Sequence, residues 1–279
     1  MRVNNELYDE ACFACCKVIT RKYSTSFSHG IRAFDRKLHN PVYAIYAFVR
    51  CADEIVDTFH SHDQAAMLGS FRAEAFESIN KGLSLNPVLH AFQCVVNRYS
   101  IDHHLVGSFL DSMEMDLHRT IYSPEGYRSY IYGSAEVVGL MCLYVFCEGD
   151  NRLFGHLKPH AMSLGSAFQK VNFLRDIRAD YEERGRIYFP GVDFKYFNEA
   201  DKHHIEQDIQ QDFNTALEGI RQLPECARKG VYIAYTYYLG LFSKIRQLPA
   251  AAVTECRIRV SDRRKVWLMA NALVKERML

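Results

Sequence analysis

Two short segments of the sequence each carry a pair of aspartates one helical turn apart. In the first segment Tyr46, Arg50, Asp53 and Asp57 follow one another at intervals of four, three and four residues. On an α-helix these intervals put all four side chains on one face. Apolar residues flank that face, so we expect it to point into the protein rather than into water.

The second segment repeats the pattern with Gln169, Asn172, Asp176 and Asp180, at intervals of three, four and four residues. Like charges at this spacing destabilise a helix, and the cost grows when carboxylates lose hydration. Two such pairs therefore indicate a shared divalent cation. Oxygen ligands favour Mg²⁺ over Zn²⁺, and Mg²⁺ commonly also binds phosphate oxygens. The alternative is a solvated charged face, which fits stripes of mixed carboxylates, amides and rings less well.

Helix signals dominate the elements that must position these segments. Asn40-Pro41, Asn86-Pro87 and Ser123-Pro124 each predict a capped helix start, and Gly185 predicts a helix end. The expected helices cover about 41–58, 87–99, 102–118, 124–146, 158–183, 201–222, 224–247 and 254–277. Sustained alternation of the strand kind is missing from the sequence, and we interpret 186–189 as a loop. The pattern predicts an all-α fold with a single domain over residues 1–279.

Composition narrows the class of protein. The 279 residues carry a formal net charge of +1, which offers no broad basic surface to nucleic acid. The sequence shows no signal-peptide core and no run of roughly 18 apolar residues. Nine cysteines, an odd number, indicate reduced thiols. We therefore expect a cytoplasmic protein, with at most peripheral contact at the inner face of a membrane, that requires no oligomer.

The chemistry-bearing segments resemble the motifs of the squalene/phytoene synthase family. Residues 53–57 resemble its first D-x-x-x-D motif, 172–180 its second, and 184–190 the tail that follows the second motif. Residues 23–27 resemble the segment that flaps over the diphosphate, and 132–139 match the tyrosine-and-glycine helix. Within that helix Glu136 stands where the family often has a small residue, a departure that could shift the cavity or the step of proton loss.

The resemblance implies an isoprenoid synthase-type helical bundle with a deep central cavity. It also implies an enzyme whose substrates are isoprenoid diphosphates. It implies Mg²⁺, for which Mn²⁺ could substitute, held by Asp53, Asp57, Asn172, Asp176 and Asp180. It also implies a diphosphate site and aromatic walls that stabilise a carbocation. The residues expected there are Ser24, Ser26, Phe27, Tyr46, Phe48, Arg50, Tyr132, Gln169, Asn172, Phe173, Arg175 and Tyr238, with Tyr132 counted among the catalytic residues. We expect Asp116, with Asp111 and Glu114, at the surface or behind the site.

By the same resemblance, the expected reaction is a head-to-head condensation of two C20 geranylgeranyl diphosphates. It passes through a cyclopropylcarbinyl diphosphate to phytoene, and NADPH is not expected. One alternative is squalene or dehydrosqualene synthesis from two C15 farnesyl diphosphates. Another is a terpene cyclase, against which the 23–27 and 184–190 segments argue. An alternative of another class is a non-catalytic helical protein that binds lipid or assists assembly.

Overall fold

The computed structural model describes residues 5–118, 121–255, 258, 267–268 and 272, and this part of the chain folds into twelve α-helices. These are α1 Glu6–Tyr23, α2 Thr25–Arg32, α3 Arg36–Asp57, α4 Gln64–Lys81, α5 Pro87–Tyr99, α6 His103–His118, α7 Pro124–Ile131, α8 Val137–Cys147, α9 Asn151–Arg184, α10 Glu199–Gln222, α11 Glu225–Arg246 and α12 Ala250–Glu255. In the described ranges the one β-type contact is an isolated parallel bridge between Ile121 and Ile187. The all-α prediction is confirmed.

Side-chain caps set several helix boundaries as the sequence predicts. Asn86 Oδ1 accepts from the backbone N–H of Val88, and Ser123 Oγ accepts from that of Gly126. Gly185 ends α9 with φ of 64°, a left-handed conformation that glycine adopts without strain. The structure describes the predicted 254–277 helix only in small part.

The predicted start of α3 at Asn40-Pro41 is wrong. The helix begins at Arg36, and Pro41 lies inside it, buried in the core. Proline has no N–H, so the hydrogen bond that residue 41 would donate to the carbonyl oxygen of Lys37 is missing from the helix. The predicted start of α9 near residue 158 is also late, because Asp150 caps the helix by accepting from the N–H of Leu153.

The predicted helix over 124–146 is not uniform. A π-helical turn, Tyr132–Glu136, separates α7 from α8. It packs tightly on its neighbours: a Cβ on Gly133 would lie 2.5 Å from the carbonyl oxygen of Ser108 in α6. A Cβ on Gly165 in α9 would lie 2.7 Å from the carbonyl oxygen of Ala135. Single π-turns of this kind often occur at functional sites.

The stretch Pro124–Cys147 is the one described segment long and apolar enough, by length and composition, to cross a membrane. Its most apolar window is 56% buried in the protein, and α8 packs against α3, α6 and α9. The stretch thus forms part of the bundle core. Together with α2, α3, α6, α9, α10 and α11, the stretch lines a central cavity of about 710 Å³.

Candidate active site

The two aspartate pairs face the same cavity from different helices. Asp53 and Asp57 project from the last turns of α3, and Asp176 and Asp180 project from the last turns of α9. Most of the other predicted site residues line this cavity as well, namely Ser24, Phe27, Tyr46, Arg50, Gln169, Asn172, Phe173, Arg175 and Tyr238. The Ser26 side chain lies outside the described part of the chain. The structure thus brings both motifs together, while the roles assigned to these residues stay predictions.

Burial disfavours the charged form of the carboxyls. It raises the pKa of Asp53 to about 7, and the neighbouring Arg50 only partly offsets this effect. Burial likewise raises the pKa of Asp180 to about 6, against the opposing effect of Arg184. About a third of the Asp53 side chain is still exposed, so a ligand can reach it. Burial disfavours the charged form of these clustered carboxyls, and a hard divalent cation would favour it.

Guanidinium groups line the same end of the cavity as the aspartate pairs, which we call its mouth. Arg50 pairs with Glu54 and lies over the ring of Tyr23, 4.5 Å from its centroid. Among the described residues, Nε of Arg50 is buried and has no hydrogen-bond partner. Arg175 donates from Nε to Oδ1 of Asp176 at 3.0 Å. A buried, unsatisfied cationic donor beside carboxylates fits an anionic ligand such as a diphosphate.

Two further arginines contact the aspartate pairs, although the sequence indicated no role in the site for either of them. Arg184 donates from Nη1 to Oδ1 of Asp180 at 2.8 Å, and its Nε lies 3.8 Å from Oδ1 of Asp57. Arg186 donates from Nη1 to Oδ1 of Asp57 at 3.0 Å. The only signal in the sequence was their place in the 184–190 tail. These arginines neutralise part of the charge that a cation would otherwise balance.

Asp116 lies at the cavity rather than at the surface or behind it. Its carboxylate accepts hydrogen bonds from the hydroxyls of Tyr130 at 2.6 Å, Tyr122 at 3.1 Å and Tyr188 at 3.3 Å. Burial raises the pKa of Asp116 to about 6, although Arg186 opposes the shift. Asp111 and Glu114, by contrast, lie at the surface and pair with Arg72, as expected.

The placement of two predicted aromatic residues is corrected by the structure. Tyr132 opens the π-helical turn and is not among the residues that line the cavity, whereas Tyr130 is. Residues two apart on a helix point about 200° away from each other, so only one of these tyrosines can face the cavity. Phe48 is fully buried, with its ring stacked on Phe92 at 3.9 Å, and belongs to the core.

Comparison with known proteins agrees with this geometry. The sequence profile described as squalene/phytoene synthase matches residues 20–267. The phytoene synthase of Arthrospira platensis is 28% identical over 260 residues, covering 84% of this chain and 84% of that protein. The 4,4'-diapophytoene synthase of Staphylococcus haemolyticus is 23% identical over 256 residues, covering 85% of this chain and 88% of that protein. A solved dehydrosqualene synthase in complex with a ligand superposes with a TM-score of 0.85 at 22% identity, over 99% of both chains.

Proposed function

The chain belongs to the squalene/phytoene synthase family of prenyltransferase-type enzymes, which act on isoprenoid diphosphates, and from that premise we propose that it makes phytoene. Two geranylgeranyl diphosphates condense head to head through a cyclopropylcarbinyl diphosphate. The overall reaction releases two diphosphate ions and two protons, one proton when the cyclopropane forms and one when the central double bond forms. No hydride is added, so NADPH is not needed.

One observation carries the proposal: the aspartate pairs of α3 and α9 line one cavity, with Arg184 placed between Asp57 and Asp180. Oxygen donors of this kind fit Mg²⁺, or Mn²⁺ in its place, and Asp53, Asp57, Asn172, Asp176 and Asp180 would hold it. When bound, the metal would withdraw charge from the leaving diphosphate. Arg50 and Arg175 lie beside these carboxylates and would neutralise the remaining phosphate oxygens.

Aromatic rings behind the polar mouth are suited to the carbocation that ionisation produces. Phe27 and Tyr46 lie with ring centroids 5.5 Å apart, and Phe168 stacks on Tyr238 at 3.9 Å. All four line the cavity. The face of each ring can stabilise a cation by about 0.5–2 kcal/mol, and the apolar wall excludes water that would capture it.

The length of the cavity supports a C20 substrate over a C15 substrate. Lining residues of α9 extend from Asp176 back to Leu157, nineteen positions earlier. At the helical rise this corresponds to about 28 Å along the helix axis. A geranylgeranyl tail is one isoprene unit longer than a farnesyl tail, and a cavity of this length has room for the additional unit behind the diphosphate.

A product assay tests the proposal directly. The purified protein is incubated with Mg²⁺ and either the C15 or the C20 diphosphate, with and without NADPH. We expect a C40 hydrocarbon from the C20 substrate that is independent of NADPH. A C30 product alone would instead assign squalene or dehydrosqualene synthesis, and the NADPH dependence would tell these apart. Absence of product from both substrates would favour the non-catalytic alternative.

A further inference from the structure

One polar side chain stands out at the end of the cavity that is remote from the aspartates. The lining there is otherwise apolar and comes from α2, α3, α8, α9, α10 and α11. Its members include Phe34, Val42, Phe146, Leu157, Ile220 and Leu223. Among the described lining residues of this region, His160 is the one whose side chain carries nitrogen or oxygen. It lies one helical turn from Leu157 on α9.

We propose that His160 sets the maximum length of the prenyl tail that the cavity accepts. The inference rests on the proposed function and adds the residue that measures the substrate. His160 lies sixteen positions before Asp176, which corresponds to about 24 Å along the axis of α9. The last isoprene unit of a C20 tail anchored at the aspartates reaches this level. A longer tail must pass the imidazole to reach the lining that continues one turn further to Leu157.

Contacts with α10 restrict the position of the His160 imidazole. Its Nδ1 lies 2.8 Å from the backbone carbonyl oxygen of Thr215 on α10. A carbonyl oxygen only accepts, so Nδ1 carries the proton and donates it. One turn further along α10 the His160 Cβ packs directly against Gly219: a Cβ added at that glycine would lie 2.2 Å from it. The α10 backbone therefore blocks the ring from moving toward α10.

Because Nδ1 carries the proton, the imidazole places one polar group in the otherwise apolar lining at the end of the cavity remote from the aspartates. In the neutral ring Nε2 keeps its lone pair, because the proton is on the other nitrogen. A hydrocarbon tail pressed against this ring offers the lone pair no partner and excludes water from it, which is unfavourable. Steric limit and desolvation thus act in the same direction against a tail longer than C20.

Binding of non-hydrolysable thiolodiphosphate analogues tests the inference without requiring turnover. Dissociation constants of the C15, C20 and C25 analogues are measured with Mg²⁺ for the wild type and three variants. His160→Ala should tighten binding of the C25 analogue relative to the C20 analogue at least about tenfold. The matched control is His203→Ala, an exposed histidine on α10 that contacts Gln207 and does not line the cavity. It should leave the ratio unchanged.

Gly219→Ala should act in the opposite direction. The added methyl group pushes His160 toward the cavity, so binding of the C20 analogue should weaken about tenfold relative to the C15 analogue. An unchanged C25-to-C20 ratio in a folded His160→Ala protein that still binds the C20 analogue would overturn this inference alone. Failure of the wild type to bind any of the three analogues would overturn the inference together with the proposed function. Binding without product formation would overturn only the latter.

Discussion

Nη1 of Arg186 lies 3.0 Å from Oδ1 of Asp57, although the two residues are 129 positions apart in the sequence. The same guanidinium donates from Nη2 to the backbone oxygen of Asp116 at 3.0 Å. One side chain therefore ties the first aspartate motif on α3 to α6 and to the tail that follows α9. The Asp57 carboxylate is held in place by this contact.

This arrangement predicts that Mg²⁺ and pyrophosphate stabilise the protein together. The positive charge of Arg184 and Arg186 already faces the carboxylates, so Mg²⁺ alone gains little until an anion engages the arginines. At about 100 times the dissociation constant, the pair should raise the melting temperature by about 5–10 °C. Thermal melts with each component alone and with both together check this. An equal shift with Mg²⁺ alone would mean a preformed metal cage.

Removing one carboxylate charge from either aspartate pair should abolish activity without harming the fold, if these aspartates hold the proposed metal. Asp53→Asn and Asp176→Asn should each lower kcat/KM at least about 100-fold, because the amide cannot supply the anionic ligand. The melting temperature of metal-free Asp53→Asn should not fall, since burial already disfavours the carboxylate there. The matched control is Asp111→Asn, whose carboxylate pairs with Arg72 at the surface. A fully active Asp176→Asn enzyme would contradict the metal assignment.

Asp116 should matter chiefly for stability. Its side chain is only 4% exposed, and it accepts from three tyrosine hydroxyls beside Arg186. Asp116→Ala leaves those three donors without their acceptor and removes a buried charge 3.7 Å from the guanidinium of Arg186, which should cost about 3–5 kcal/mol of unfolding free energy. Tyr130→Phe removes one donor and should cost only about 1 kcal/mol. Urea denaturation measures both, and equal losses would contradict the central role of Asp116.

The aspartate stripes could be predicted from the sequence because their geometry is local. Spacings of three and four residues fix a helix face, whatever the rest of the fold does. The linking role of Arg186 could not be predicted in this way, since its contacts with Asp57 and Asp116 cross distant parts of the chain. The placement of Asp116 could not be predicted for the same reason, because its partners Tyr122, Tyr130 and Tyr188 are brought together only by tertiary packing.

The helix that carries Tyr132 shows a second reason for error. Its apolar run gives no sign that five residues form a π-helical turn, and the register of the cavity-facing side chains depends on that turn. The family resemblance pointed to Tyr132, while the side chain that lines the cavity is Tyr130. The lining at the apolar end of the cavity could not be predicted from the sequence either, because the contact of His160 with Gly219 depends on how α9 and α10 pack.

The raised pKa of the Glu136 carboxyl predicts that the stability of the protein depends on pH. Burial raises its pKa to about 7, Asp212 adds to the rise and Lys170 opposes it. The folded protein thus keeps a proton that the unfolded chain releases, and stability falls as pH rises from about 4.5 to 7. Glu136→Gln should remove the part of this dependence that is due to Glu136, and it should gain about 1–2 kcal/mol over the wild type at pH 8 but almost nothing at pH 4. Denaturation at both pH values checks this, and an equal gain at both would exclude titration as the cause.

The close packing of the π-helical turn against α6 gives the last prediction. A methyl group on Gly133 would lie 2.5 Å from the Ser108 carbonyl oxygen and 2.7 Å from the Ser112 Cβ, neither of which can rotate away. Gly133→Ala should therefore cost about 1–3 kcal/mol of unfolding free energy, and displacement of the turn should also lower kcat/KM. Gly155 on α9 has nothing within 4 Å of its added Cβ, so Gly155→Ala should stabilise by about 0.5–1 kcal/mol. If urea denaturation found both substitutions stabilising, α6 and the turn would have to be less closely packed than these distances require.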